Sequence, residues 1–496
     1  DVRGEAADLI EYVTKPGEEA AKLRGFLFFN FLGGSVAAAA INATQTPMMT
    51  APYLAQHASL ADVVKAILGS AKEAVAVPAD IQGPIGEALQ KAEREGVTAP
   101  QQIYHLTATA ANNPFSSNRK FRAFMTFWGG MFGSVEVFNR RVAFLSAYKI
   151  ANGKGIHGAA AYQFAVKAVT ETQGIYSRTN RPNLGRGAVG STILTFKQYS
   201  IMWVELLRRL PPQQQLLMLG ILMLASGLEG LPFAEDAEDI VDTLGQWLGF
   251  STNTGKWVGR NVEDVLGKGL ARPVLKGIGG VLPIDLHSRL GMQNLIPGTA
   301  FLKTSEIDKT RDVAEAVGPL GGVLRNFSDS LQLLARGRWD KAAVLSSPKA
   351  VKDLYNGIHM MLTGESEDIK GRRALKDVTT TEALGKAVGF NSQRAAIEGE
   401  AKREIMLDRN LRAVRLDEIA SEWADGILRK DQDEVRSAMA KLREWNADNP
   451  EMRIDGTQVL RSVRERVRAA RMTSEERFIK SVPKPMKRQA REELRQ

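Results

Sequence analysis

Arg461, Arg464, Arg468 and Arg471 follow one another at intervals of three, four and three residues, so a helix would carry all four on one face. Guanidinium groups in such a row suit phosphate. Neutralising phosphates releases condensed counterions and gives a sequence-independent affinity for nucleic acid that weakens steeply with salt. Lys484, Lys487 and Arg488 continue the basic character toward the end of the chain. Residues 461–496 hold twelve Lys and Arg against five Asp and Glu, so most of the chain's net charge of +10 sits there. These residues are the candidate contacts to double-stranded DNA. Glu465 and nearby acids dilute the field, and a solvated surface helix is the competing reading.

Other residue groups carry weaker chemical signals. Arg178, Arg181 and Arg186 lie where Asn180, Pro182, Asn183, Gly185, Gly187 and Gly190 crowd eleven residues, a density that predicts irregular backbone rather than helix. From Thr192 the pattern turns amphipathic, with Leu194, Ile201, Val204 and Leu207 at helical spacing and Phe196, Tyr199 and Trp203 between them, until Pro211-Pro212. An arginine loop opening a helix can hold an anion on unpaired backbone N–H groups. The plainer reading is a packed corner whose guanidiniums meet carbonyls or carboxylates. Glu235, Asp236, Glu238, Asp239 and Asp242 lack the spacing of a calcium loop, and a solvated helix start is expected.

The five histidines, at 57, 105, 157, 287 and 359, form no i, i+4 metal pair and read as ordinary core or surface residues. Without cysteine, disulfides and thiolate metal sites are excluded. Nucleophile elbows, HExxH and Walker loops are absent, and Gly277-Ile278-Gly279-Gly280 lacks both the GxGxxG spacing and the GK[ST] ending. One carboxylate would suffice for a transglycosylase, yet no glutamate stands apart from the charged helix faces. No catalytic residue, metal or cofactor is expected in this segment; any catalytic domain would lie outside it.

The elements that must position these groups are read as helices throughout: a mainly α, multi-helix chain, elongated or divided into subdomains. The length of 496 residues predicts two to four of them, and an apolar fraction of 44% excludes wholesale disorder. Starting at Asp1 without methionine or signal peptide, the chain is expected to be a processed product or part of something longer. The expected divisions are 1–110, with an apolar helix at 25–41; 111–249, with an apolar helix at 216–228; a Gly/Pro-rich winding segment of short helices, 250–303; a charged helical part, 304–391; and amphipathic helices with a basic tail, 392–496.

Three apolar stretches punctuate this plan: Gly25–Ile41, Phe124–Val135 and Leu216–Leu228, of which the longest has seventeen residues. None is convincing as a membrane span. Gly33-Gly34, Gly129-Gly130 and Gly220 would let helices approach closely, and all three stretches are expected to share one core. The alternative is a protein that exchanges its core for lipid contacts. Phe127, Phe138, Phe144 and Tyr148 are expected in the core, and Leu416, Ile419, Trp423 and Ile427 are expected to form a packing stripe.

The block from Gln173 to Leu210 resembles the C-terminal region named after its PLxRFG motif, found in very large polyvalent proteins of bacteriophages. Leu184 and Arg186 keep their places, while Asn183 stands for the proline and Gly187 for the phenylalanine. The helix that follows in the family is matched by Thr195-Phe196-Lys197-Gln198-Tyr199. Further fits are Asn42-Ala43-Thr44-Gln45-Thr46-Pro47, Asn139-Arg140-Arg141 and the stretch from Gly291 to Thr299, which together span residues 20–305. The resemblance implies an internal virion protein packaged with the genome and expelled with it to help form a DNA conduit across the host envelope. Implied partners are sister copies, portal and tail proteins, other ejection proteins, non-specific double-stranded DNA, and the host membrane during infection. The implied location is the capsid interior or the portal and tail, then the periplasm and envelope. Rival expectations are a segment of a giant phage enzyme, peptidoglycan-cleaving or a virion RNA polymerase, and a co-injected DNA-protection factor.

Overall fold

The computed structural model describes residues 10–11, 20–100, 119–174, 183–194, 196–247, 254–292, 295–296, 319–368 and 373–493. The chain divides into two compact units, one reaching Ile397 and the other built from Glu398 onward. Both are helical, as the periodicity predicts. Strand structure among the described residues amounts to one antiparallel hairpin, β1 (Ser366–Glu367) with β2 (Arg373–Leu375), and a bridge between Ile284 and Ser392. The expected helix pair before residue 23, apart from residues 10–11 and 20–22, and the loop at 112–118 lie outside the described residues, as do Arg178, Arg181, Thr195 and His105.

The first unit opens with α1 (Ala21–Phe31) and α2 (Val36–Ala43). Gly34 separates them at φ 66°, a conformation open to glycine, and Ser35 caps α2 by accepting from the Ala38 N–H at 3.2 Å. After a π-helical turn, Thr46–Thr50, and an α-helical turn, Ala51–Leu54, come α3 (Leu60–Ala74) and α4 (Pro84–Arg94). Ser59 caps α3, and Pro84 opens α4 where no N–H partner is needed. The spine of the unit is α5 (Arg119–Gly153), which packs chiefly on α3 and on α6 (Gly158–Gln173). Along its second half Val142, Phe144, Leu145, Tyr148 and Ala151 are all buried. Burying side chains such as Phe144 and Leu145 contributes about 1.5–3 kcal/mol each.

Next follow α7 (Gly187–Ile193), α8 (Gln198–Arg209) and α9 (Pro212–Ser226). The helix expected from Thr192 is thus two helices, and the stretch from Gly187, expected to be irregular, is helical. Ser191 and Thr192 are buried, so packing overrides the glycine penalty, and the Thr192 hydroxyl finds its partner in the Ala188 carbonyl at 2.7 Å. The acidic run starts α10 (Ala234–Trp247), but it is not simply solvated. Asp236 and Asp239 are buried, and the Asp236 carboxylate accepts from the N–H groups of Leu295 and Ile296 at 2.8 and 3.2 Å.

The Gly/Pro-rich segment forms short helices, α11 (Thr254–Leu266), α12 (Lys268–Lys276) and the turn His287–Leu290. Gly227 and Gly277 meet here. A β-carbon on Gly227 would overlap the Leu275 carbonyl, and one on Gly277 would overlap the backbone at Ala225–Gly227. The Gly277–Gly280 stretch therefore has a packing role. The remaining helices of the unit are α13 (Pro319–Ala335), α14 (Trp339–Ser346), α15 (Lys349–Thr363) and α16 (Thr380–Ala387), the last with a capping box between Thr379 and Glu382.

The apolar stretches do not share one core. Phe28 of α1 meets Phe132 of α5 edge-on at 5.9 Å in a small cluster of its own, while Met218 and Leu222 of α9 enter the main core. Leu216 and Leu224, also on α9, are exposed. Phe127 is 80% exposed rather than buried, whereas Phe138 packs on the core that holds Phe144 and Tyr148. Close approach holds at Gly33-Gly34, where a β-carbon would overlap the Trp128 indole, whereas a β-carbon on Gly130 or Gly220 would meet no other element within 4 Å. No single described helix is long and apolar enough to cross a membrane. The segments Leu23–Phe31 and Val36–Leu54 together have the length and composition, bent by 94°.

The second unit holds most of α17 (Gln393–Arg429), then α18 (Gln432–Asp448), α19 (Gly456–Arg471), α20 (Ser474–Ser481) and α21 (Lys487–Glu493). Asp431, Asp455 and Thr473 cap α18, α19 and α20 through their side-chain oxygens. Ile419, Ala424, Ala438, Trp445, Val459 and Val463 form its core, with Leu416 and Trp423 packed against it. Ile427, the last residue of the expected stripe, is 37% exposed and borders the groove described next.

Candidate nucleic-acid interface

Helix α19 separates its two faces by periodicity. Val459 and Val463 turn into the core, which leaves Arg461, Arg464, Arg468 and Arg471 exposed along the other side. Among the described residues none of the four has an ion pair with a carboxylate. Arg466, on a different face, pairs with Asp417 of α17. Arg464, Arg468 and Arg471 border an open groove of about 460 Å³ with an apolar floor of Ile427, Val463, Val467 and Met472, and Glu476 closes its α20 end. Arginine heads over an aliphatic floor keep their stems packed and their donors free for phosphate oxygens.

At the start of the helix the Asp455 carboxyl is held below its ordinary pKa. Hydrogen bonds from Thr457 are the main cause, and Arg412 and Arg461 add to it. The cap therefore stays charged at neutral pH and anchors the arginine row. Lys484 lies in the turn Lys484–Met486, and Lys487 and Arg488 open α21. Arg488 is engaged with Glu492 at 3.1 Å. The four α19 arginines thus share a surface. The three later cations belong to a different element.

The residues of the family-like loop and helix lie in the first unit. Leu184 is in the turn Asn183–Gly185, and Arg186, half-buried, precedes α7. Phe196 meets Phe31 edge-on at 5.9 Å. Lys197 is the residue before α8, Gln198 opens it, and the Tyr199 hydroxyl donates to the Met48 sulfur at 3.9 Å.

Two separated stretches are brought together in the same unit. Asn139, fully buried, donates from Nδ2 to the Asn42 carbonyl at 2.7 Å and accepts from the Thr46 hydroxyl at 3.3 Å. Its neighbour Arg140 donates to the Gln173 and Gly174 carbonyls at 3.2 and 2.7 Å and lies 3.6 Å from Glu136. Arg141 donates to the Ala74 and Ala76 carbonyls at 3.0 and 3.3 Å and pairs with Glu93 at 2.6 Å. Adjacent arginines on α5 therefore satisfy the C-terminal carbonyls of two helices, α6 and α3. The sequence singled out both stretches, Asn42–Pro47 and Asn139-Arg140-Arg141, but not that the fold would pair them.

Among the described residues no three His, Asp or Glu side chains gather as a metal site. His287 is buried, with Nδ1 2.6 Å from the Ser226 carbonyl, and burial holds its pKa below the ordinary value, with Lys276 adding to the effect. Comparisons with protein-family models, curated proteins and solved structures return no match.

Proposed function

We propose that the chain is a structural protein of a bacteriophage particle, held inside with the genome and expelled with it to help form a conduit across the host envelope. The observation that carries this reading is the apolar helix surface left uncovered in the first unit. On α15 Val351, Leu354, Ile358 and Leu362 are exposed; on α13 Leu324, Phe327 and Leu331; on α3 Leu60, Val64 and Leu68. Each set recurs at three or four residues and makes a continuous stripe. Apolar stripes of this kind mark surfaces that are covered in the working state, here by sister copies, portal or tail proteins, or lipid.

The bent apolar pair at Leu23–Phe31 and Val36–Leu54 has the length and composition of a membrane-entering segment, and its buried Phe28, Met49 and Leu54 would have to leave their packing to act as one. The arginine row of α19 supplies non-specific contact with the DNA in transit. The resemblance over residues 20–305 supports the phage setting. No reaction is assigned to the chain.

The test is calcein release from anionic liposomes together with sedimentation of the free protein. The reading predicts leakage and concentration-dependent self-association, both reduced by Leu354→Glu with Ile358→Glu. A protein that remains monomeric and leaves vesicles intact under every condition contradicts it.

A further inference from the structure

A cleft of about 260 Å³ lies in the first unit between α14, α15, the β-hairpin and the turn joining α16 to α17. It is independent of the arginine groove and of the phage reading. Along α15, Lys352, Asn356 and His359 fall at i, i+4 and i+7 and line one wall. The half-buried Lys352 ammonium makes no hydrogen bond or ion pair among the described residues, and neither does the Asn356 amide. An ammonium held in a cleft without a partner is costly unless something occupies the cleft.

Lys386 and Asn391 extend the same lining. The Asn391 carbonyl oxygen accepts from Lys386 at 3.1 Å, which leaves its NH₂ group to donate. Beside them one buried carboxylate, Asp353, is shared between Lys386, at 2.8 Å, and Lys349. One negative charge thus faces the ammoniums of Lys349, Lys352 and Lys386. Burial holds the Lys352 and Lys349 ammoniums below their ordinary pKa, Lys349 at about 8.

The hairpin end of the cleft has the opposite character. Glu367 is bound by Lys341 and also feels His359 and Arg338, and Asp368 lies next to it on the lining. Leu345, Met360 and Leu375 are buried apolar residues of the same lining. The cleft is therefore polarised, with uncommitted donors at one end and carboxylates at the other. Its volume, near the lower edge of ordinary ligand pockets, admits a small molecule and not a duplex.

We propose that this cleft binds a small phosphate monoester that also carries hydroxyl or amino groups, such as a nucleoside or sugar monophosphate. The phosphate sits among Lys352, Lys386 and Asn391, and the hydroxyl or amino groups face Asp368. A bare phosphate would use half of the site.

Isothermal titration of the full chain with adenosine monophosphate, ribose 5-phosphate and inorganic phosphate tests this. The monophosphate esters are expected to bind at a single site, tighter than inorganic phosphate. Lys352→Gln is expected to weaken them by roughly tenfold or more, the loss of a charge-assisted hydrogen bond. Asn391→Ala, at an exposed position, weakens them as well and serves where Lys352→Gln impairs folding. Joint replacement of Arg464, Arg468 and Arg471 by Gln leaves the binding unchanged, which separates the cleft from the basic tail. Absence of binding at millimolar ligand overturns the proposal, as does binding indifferent to both cleft substitutions.

Discussion

At the scale of single residues, two kinds of arginine serve opposite ends. Arg140 is buried, and its removal takes the donors from the Gln173 and Gly174 carbonyls at the end of α6 and the cation from beside Glu136. Arg140→Ala is expected to cost about 3–5 kcal/mol, read from denaturant unfolding. The exposed arginines of α19 bear on binding instead. Replacing Arg464, Arg468 and Arg471 by Gln should leave stability nearly unchanged. On duplex DNA it should flatten the dependence of log K on log salt by about 0.9 for each lost phosphate contact, measured by fluorescence anisotropy. An unchanged slope would remove these residues from any DNA path.

The α19 row was legible because a helical period shows in the three spacings between its four arginines. The task of Arg140 was not, because Gln173 and Gly174 lie more than thirty residues away and only the fold brings them near. Histidine adds a pH effect. His57 and His287 are both held below their ordinary pKa of 6.5, chiefly by burial, so below that pH the unfolded chain binds more protons than the folded one. Stability should therefore fall as pH drops from about 8 to about 5, and fall less in His287→Asn, as followed by thermal melts.

At the scale of elements, the bend between α1 and α2 is tightly constrained. The Gly34 N–H donates to the Trp128 carbonyl at 2.8 Å, and the Trp128 indole N–H returns to the Phe29 carbonyl at 3.1 Å, across the glycine pair. Gly33→Val should destabilise by about 1–3 kcal/mol through overpacking, measured by denaturant unfolding, whereas the same change at Gly220 should cost less because nothing stands near it. Small residues inside an apolar run thus marked close approach in one place and not in another. Sequence shows the notch but not the partner that fills it. The same limit explains α7, where packing of Ser191 and Thr192 accompanies a helix in a stretch whose composition predicts a loop. It explains Asp236 too, a member of an acidic run that became the acceptor for a distant backbone.

At the scale of the whole molecule, helix content followed from periodicity, and the helix-rich character of both units was legible throughout. The uncovered stripes on α3, α13 and α15 were not, because an amphipathic pattern does not say whether its apolar side meets this chain, another copy or lipid. Those stripes are the ground for reading the chain as a part of an assembly. On the function proposed above, this assembly leaves the particle with the genome. The most direct measurement is quantitative mass spectrometry of purified phage particles before and after triggered DNA ejection. The account predicts that this polypeptide is present in full particles and lost from emptied ones in step with the DNA. Its retention in emptied capsids, or its absence from mature particles, would contradict the claim.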